Sequence, residues 1–240
     1  MSANTQKVLA IAMTVITSTV AIGGQITSDV SRRDLLNAMK DEAFDYMKYT
    51  LYAEQAKKNG NTGAAAAFER IAAVERDKHF KVHAKYFGLV RSDAENLKDV
   101  VYSEEYVTPS GSRQDLVEAM KEEAFEYLKY SLYADQARKN GNNAALVVFE
   151  RMAAFERTAN DQDNFTRQST NFGLARGDAK NLEDAISREN LEATMTYSAM
   201  ASRAEAAGEA EVAQHFANVA KDEAEHEDAF KAVSFKQKPQ

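Results

Sequence analysis

The chain has 240 residues, 44% of them apolar and 28% charged, with a formal net charge of −7 and no cysteine or tryptophan. Without cysteine there is no disulfide scaffold, zinc ribbon, iron–sulfur cluster or thiol nucleophile, and any metal site must be built from carboxylates and at most four imidazoles. The acidic balance also argues against a nucleic-acid partner, because phosphates select for an excess of Lys and Arg.

The first 30 residues form an apolar amino-terminal segment. Val8 to Ser28 carries no charge, but its core is short and diluted by Thr and Ser, which suits a signal segment or a marginal anchor better than a full membrane span. This predicts membrane contact through residues 8–28 and a membrane-associated or exported protein. The alternative is a docking helix on a cytoplasmic one.

From residue 31 onward the chain is rich in Ala, Glu, Lys, Leu and Met, and strand alternation is absent. The spacing predicts long helices over 31–58, 64–87, 113–139, 144–170, 179–206 and 209–234. Gly60, Gly141 and Gly208 stand where a helix C-terminus needs a residue tolerant of positive φ. The fold class is therefore all-α. Residues 31–112 form one hairpin plus a truncated linker, and residues 113–236 a complete two-hairpin unit.

An internal repeat organises these helices. Residues 34–76 and 115–157 align without gaps, with 28 identities in 43 positions. The echo continues from Phe87-Gly-Leu to Phe172-Gly-Leu, where the second copy has gained four residues. After the second copy comes a third, more divergent hairpin, 179–234. The same stretch after the first copy starts at Asn96 and stops at Val107-Thr-Pro. The expected architecture is a four-helix bundle at 113–236 with a duplicated hairpin attached, packed outside it or swapped with a neighbouring chain in a homo-oligomer. The run Ala64–Ala67 is replaced in the second copy by the bulkier Ala145-Leu-Val-Val, so the two copies pack against different neighbours.

Carboxylates recur on these helices at metal-site spacing. Glu189 and Glu192 are three apart, and Glu223 and His226 form Glu-x-x-His. The earlier hairpins offer one Glu per helix, Glu42 with Glu75 and Glu123 with Glu156, among apolar and aromatic neighbours. Several buried carboxylates aimed at one spot are stable only with shared protons or cations, and oxygen donors with imidazole suit iron or manganese. The plainer reading of 221–228 is a solvated acidic helix surface.

Residues 115–234 resemble the ferritin-like domain of rubrerythrins. The matching elements include Ala119-Met-Lys-Glu-Glu123-Ala-Phe, Phe149 through Glu156, Asn181 through Glu189, Glu192, Tyr197, and Phe216 through His226. The resemblance implies a ferritin-like four-helix bundle holding two iron ions, or manganese, that reduces hydrogen peroxide or oxidises ferrous iron. Carried over by position, the ligands are Glu123, Glu156, Glu189, Glu192, Glu223 and His226, with Glu42, Glu75 and His79 as a secondary set. Tyr49, Tyr130 and Tyr197 fall at positions near the metals in that family, Tyr130 and Tyr197 being the catalytic candidates; core packing is the alternative role.

Two features depart from the family pattern. It has a second His three residues after the Glu of the second helix, where this chain has Ala159 and Lys78. His79 comes one step late, and Asn160 or Asp163 are substitutes in the second copy. The rubredoxin-type electron donor is absent with the cysteines, so turnover needs an external donor. The alternative function is a structural or assembly protein whose degenerate bundle has no redox turnover.

Overall fold

The computed structural model describes residues 26, 28–102, 113–158 and 164–236. Among them all regular structure is helical. The helices are α1 (Asp29–Lys58), α2 (Thr62–Val74), α3 (Lys81–Phe87), α4 (Asp93–Tyr102), α5 (Arg113–Lys139), α6 (Asn143–Thr158), α7 (Phe165–Phe172), α8 (Asp178–Leu191), α9 (Tyr197–Ala206) and α10 (Ala210–Lys236). Two π segments interrupt them, π1 (Glu75–Phe80) between α2 and α3 and π2 (Glu192–Thr196) between α8 and α9.

The helix ends follow from local chemistry. Ser28 caps α1, its hydroxyl accepting from the amides of Val30 and Ser31. Gly60 closes the same helix at φ 74°, with the Asn61 amide reaching back to the Ala56 carbonyl. Gly141 and Gly208 repeat the left-handed geometry at φ 69° and 79°, as their positions predict. The expected amino-terminal segment lies outside the described residues except for Ile26 and Ser28. No described helix is long and apolar enough to cross a membrane.

The chain divides into two compact units, and their composition corrects the expected domain layout. Gly24–Phe87 joins Gly173–Gln240 in one unit, while Gly88–Phe172 belongs to the other. The third hairpin therefore builds its bundle with the first hairpin, not with the adjacent second one. Residues 113–236 do not form a self-contained bundle.

The contacts show an exchange between the repeats. In the first unit, Asn59 and Asn61 donate to Asp178 at 2.8 and 2.9 Å, and Tyr52 donates to Asp184 at 2.9 Å. In the second unit, Asn140 and Asn142 donate to Asp93 at 3.1 and 2.9 Å, and Tyr133 donates to Asp99 at 2.9 Å. The truncated helix after the first hairpin thus packs on the second hairpin. The complete helix after the second hairpin packs on the first.

The four-helix unit holds its core in two parts. Tyr49, Tyr52, Phe68 and Phe230 cluster at one end, with ring centroids 5.0–6.2 Å apart. Leu35, Ala38, Met200, Ala204, Val212, Phe216 and Val219 close the other. A band of buried charge separates them.

Candidate metal centre

Each helix of the four-helix unit contributes to that band. Helix α1 supplies Glu42, π1 supplies Glu75 and His79, α8 and π2 supply Glu189 and Glu192, and α10 supplies Glu223 and His226. All seven side chains are buried, none more than 4% exposed.

The donors fall into two overlapping groups. Ligand atoms of Glu42, Glu75, His79 and Glu223 lie within 4.8 Å of one another, and so do those of Glu75, Glu189, Glu223 and His226. Glu75 and Glu223 belong to both. His79 Nδ1 sits 2.7 Å from Glu75 Oε2, 3.0 Å from Glu223 Oε1 and 3.6 Å from Glu42 Oε2. His226 Nδ1 sits 2.8 Å from Glu223 Oε2, 3.1 Å from Glu75 Oε1 and 3.6 Å from Glu189 Oε2. Both imidazoles turn one nitrogen into the carboxylates. His79 turns the other toward Asp222 at 3.2 Å, the outer partner that fixes a ligating imidazole's tautomer.

The electrostatics fit cations. Glu189 Oε2 is buried without a hydrogen bond, and Glu75 Oε1, Glu223 Oε1 and Glu192 Oε1 have only the charged groups of His226, His79 and Arg188 beside them. An uncompensated buried carboxylate costs several kcal/mol or gives up its charge. Burial pushes Glu75 up to about 7 and Glu189 up to about 8, against the pull of His226. Burial also raises Glu192 well above the carboxylate range and raises Glu223. Glu42 goes the other way: burial raises it, but His79 and His83 together hold it well below its usual value. Burial opposes the charge on both ligand imidazoles, yet the carboxylates, Glu75 foremost, raise His79 well above its usual value and push His226 up to about 12. With protons as the only cations the cluster shares them among carboxylates and imidazoles. Metal ions satisfy the same oxygens and let the imidazoles become neutral.

Two tyrosines border the centre. Tyr49 donates to Glu189 Oε1 and Tyr197 donates to Glu42 Oε1. Burial raises both phenols well above their usual value, so they remain donors.

The exchange of hairpins decides which sequence candidates meet. Glu189, Glu223 and His226 lie together with Glu42, Glu75 and His79, the secondary set, and not with Glu123 and Glu156; Tyr197 borders this group. Glu123 and Glu156 belong to the other unit, where both are half-buried and Gln168 Nε2 reaches Glu123 Oε1 at 3.5 Å. Tyr130 is buried in that unit, and Tyr49 takes the place beside Glu189. Ala159, Asn160 and Asp163 lie outside the described residues. Glu192 is buried next to the centre, outside both donor groups, in an ion pair with Arg188.

His79 resolves the apparent misplacement of the second histidine. The segment from Glu75 to Phe80 is π-helical, and a π turn spends one more residue per turn than an α turn. An imidazole four residues after Glu75 then faces the centre, as one three residues later would in an α-helix. Sequence reasoning assigned no role to Asp222, Arg188, His83 or His215. His83 is buried, with Nδ1 2.8 Å from His215 Nε2 and Nε2 3.3 Å from Tyr197 Oη. Only Arg188 left a signal, four residues before Glu192 on the same helix.

A family model described as Rubrerythrin matches residues 34–158 and 174–238. The chain belongs to the rubrerythrin family. The matched spans cover both hairpin copies and the third hairpin, so the ferritin-like fold of the family is the fold of this chain. Comparison with curated proteins and with solved structures gives no match.

Proposed function

We propose that the four-helix unit holds two iron ions, manganese fitting the same donors, and reduces hydrogen peroxide or oxidises ferrous iron. The observation that carries this reading is the pair of overlapping donor groups that share Glu75 and Glu223. Two carboxylates common to both groups are what a paired-metal site requires, and a single-ion site has no use for the remainder. Glu42 and His79 would complete one position, and Glu189 and His226 the other.

Bound there, the metals would supply electrons and polarise the O–O bond of peroxide. The chain's own residues do the rest. Tyr197 and Tyr49 donate to Glu42 and Glu189 and hold those carboxylates in place. Asp222 accepts from His79 Nε2 and keeps Nδ1 toward the centre. The aromatic layer of Tyr49, Phe68 and Phe230 excludes water from one side.

Reducing peroxide to water consumes protons and electrons in equal number. Tyr197 Oη, hydrogen-bonded to Glu42 and 3.3 Å from His83 Nε2, is a proton-bearing group at the centre that is not itself a ligand. The chain carries no cysteine, so the electrons come from a separate donor.

A structural role for the bundle is disfavoured, because it gives no reason for four carboxylates and two imidazoles to converge on one another in the core. Metal analysis of the purified protein tests the reading, followed by the near-ultraviolet spectrum after ferrous iron and air. About two iron or manganese ions per chain are expected. Metal content near zero after loading would refute it.

A further inference from the structure

The second unit is one helix short. In the four-helix unit, α10 runs the length of α2 and into π1. Val233 stands 4.0 Å from where a side chain on Gly63 would begin, Phe230 meets Phe68 with ring centroids 5.0 Å apart, and His226 Nδ1 lies 3.1 Å from Glu75 Oε1. The second unit repeats the hairpin as α5 and α6, and α4 takes the place of α8, with Asp93 and Asp99 standing as Asp178 and Asp184 do. Among the described residues this unit holds no counterpart of α10.

The face left over is apolar. Gly63 corresponds to Ala144 in the repeat, and Val147, Arg151 and Phe155 follow Ala144 at i+3, i+7 and i+11, one stripe of α6. All four are exposed, Val147 by 59% and Phe155 by 45%. The first copy has Gly63, Ala66, Arg70 and Val74 at these places, so every apolar member of the stripe has gained bulk in the copy that lacks the covering helix. Large apolar side chains gathered on one exposed face mark a contact rather than a solvated surface.

The occupant follows from where the described chain begins. Ile26 packs on the same core cluster as Phe87, and the Arg32 guanidinium lies 4.4 Å over the Phe87 ring. The chain passes into the second unit immediately after Phe87, at Gly88. The amino-terminal segment thus joins the described structure at the corner where the chain changes units. Its core, Val8 to Ile22, has 15 residues without a charge. As a helix it would be about 22 Å long, against about 24 Å for the 16 residues of α6. A segment too short to span a membrane is therefore long enough to cover this face. Gly23 and Gly24 supply the hinge. We propose that residues 8–22 dock as a helix along the Ala144–Phe155 face of α6 and complete the second bundle.

The chain has no cysteine and no tryptophan, so single reporters are clean. In the full-length protein, Val15→Cys is combined in turn with Val147→Cys, with Phe155→Cys and, as a control, with Ala66→Cys on the same face of the first copy. A short bis-maleimide is expected to bridge Val15→Cys to at least one α6 position within one chain and to leave the Ala66→Cys pair unbridged. Bridging no better than the control overturns the proposal. Bridges found only between chains overturn it in favour of a second copy on this face. Wild-type protein that floats with phosphatidylglycerol vesicles, with Val15→Cys unbridged, overturns it in favour of a lipid surface.

A second measurement needs no cross-link. The Val15→Trp protein is expected to emit to the blue of free tryptophan and to be shielded from acrylamide. Adding Val147→Glu and Phe155→Glu, both at exposed positions, should shift the emission to the red and open the indole to acrylamide in a chain that still unfolds cooperatively. Identical emission in the two proteins overturns the proposal. No arm of either experiment uses bound metal, so its failure leaves the function proposed above untouched.

Discussion

His79 Nδ1 lies 2.7 Å from Glu75 Oε2, and the helix that carries both is π-helical between them. The extra residue of the π turn compensates for the extra residue in the sequence. Deleting Asp77, whose side chain is exposed and pairs with Arg76 and Lys81, should therefore let the segment close as an ordinary α-helix. The deletion variant is expected to keep its full metal content, with His79 now three residues from Glu75. Loss of one metal per chain on elemental analysis would contradict this account.

Glu75 and Glu223 serve both donor groups, whereas Glu42 and Glu189 each serve one. Glu75→Ala and Glu223→Ala should each abolish binding at both positions. Glu42→Ala and Glu189→Ala should each leave about one metal per chain. Metal-to-protein ratios after loading and desalting separate the two outcomes.

Glu123 and Glu156 occupy the repeat positions of Glu42 and Glu75 but belong to the other unit. Glu123→Ala and Glu156→Ala should leave metal content unchanged and cost no more than about 1 kcal/mol, as half-buried substitutions away from the core do. A fall in bound metal in either variant would place the centre in the wrong bundle.

The raised carboxylates set a pH dependence. Glu75 near 7 and Glu189 near 8 hold protons in the folded metal-free protein that the unfolded chain has already lost. Their protonation favours the fold at low pH, and this contribution disappears as pH rises through about 7 to 8. A metal must displace the same protons, together with those on His79 and His226, so its affinity should rise over that window. Mn2+ titrations at about pH 6, 7 and 8 test this, together with Tm of the metal-free protein, which should fall as affinity rises. A flat affinity profile would contradict it.

Phe68 is fully buried, with its ring 5.3 Å from Tyr52 and 5.0 Å from Phe230. Phe68→Ala should cost about 3 to 5 kcal/mol, measured by denaturant unfolding. It should also loosen Tyr49, whose ring is 6.0 Å away and whose hydroxyl holds Glu189.

Much of the centre was legible because its donors repeat at helical spacing. Glu189, Glu223 and His226 are three or four residues from another acidic or histidine side chain, and that periodicity survives without any tertiary information. The partner hairpin was not legible. Glu42 and Glu123 sit in the same local sequence, as do Glu75 and Glu156, so propensity, capping and periodicity are identical for both. The choice is made by packing at a distance. Ala65 and Ala67 are buried in α2, and the side chains at these places in the second copy are Leu146 and Val148. The π turn was hidden for a different reason: one extra residue in a helix changes which side chains face the core without changing composition. Arg188 was visible as a helix neighbour of Glu192, but its burial on Asp45 depends on α1.

The exchanged connectivity also bears on how the protein reaches its native state. Two hairpins of nearly the same sequence are available to the third, and the wrong one is closer. The chain from Phe87 to Asp178 is about fifteen times as long as that from the equivalent Phe172 to Asp178. Closing the longer loop costs about 2 kcal/mol more. During synthesis the second hairpin emerges just before the third, so the native bundle must win against a rival that forms sooner. Ala65, Ala67 and His79 are what the first hairpin offers and the second lacks, so metal added during refolding should raise the yield of the native pairing if the proposed centre forms.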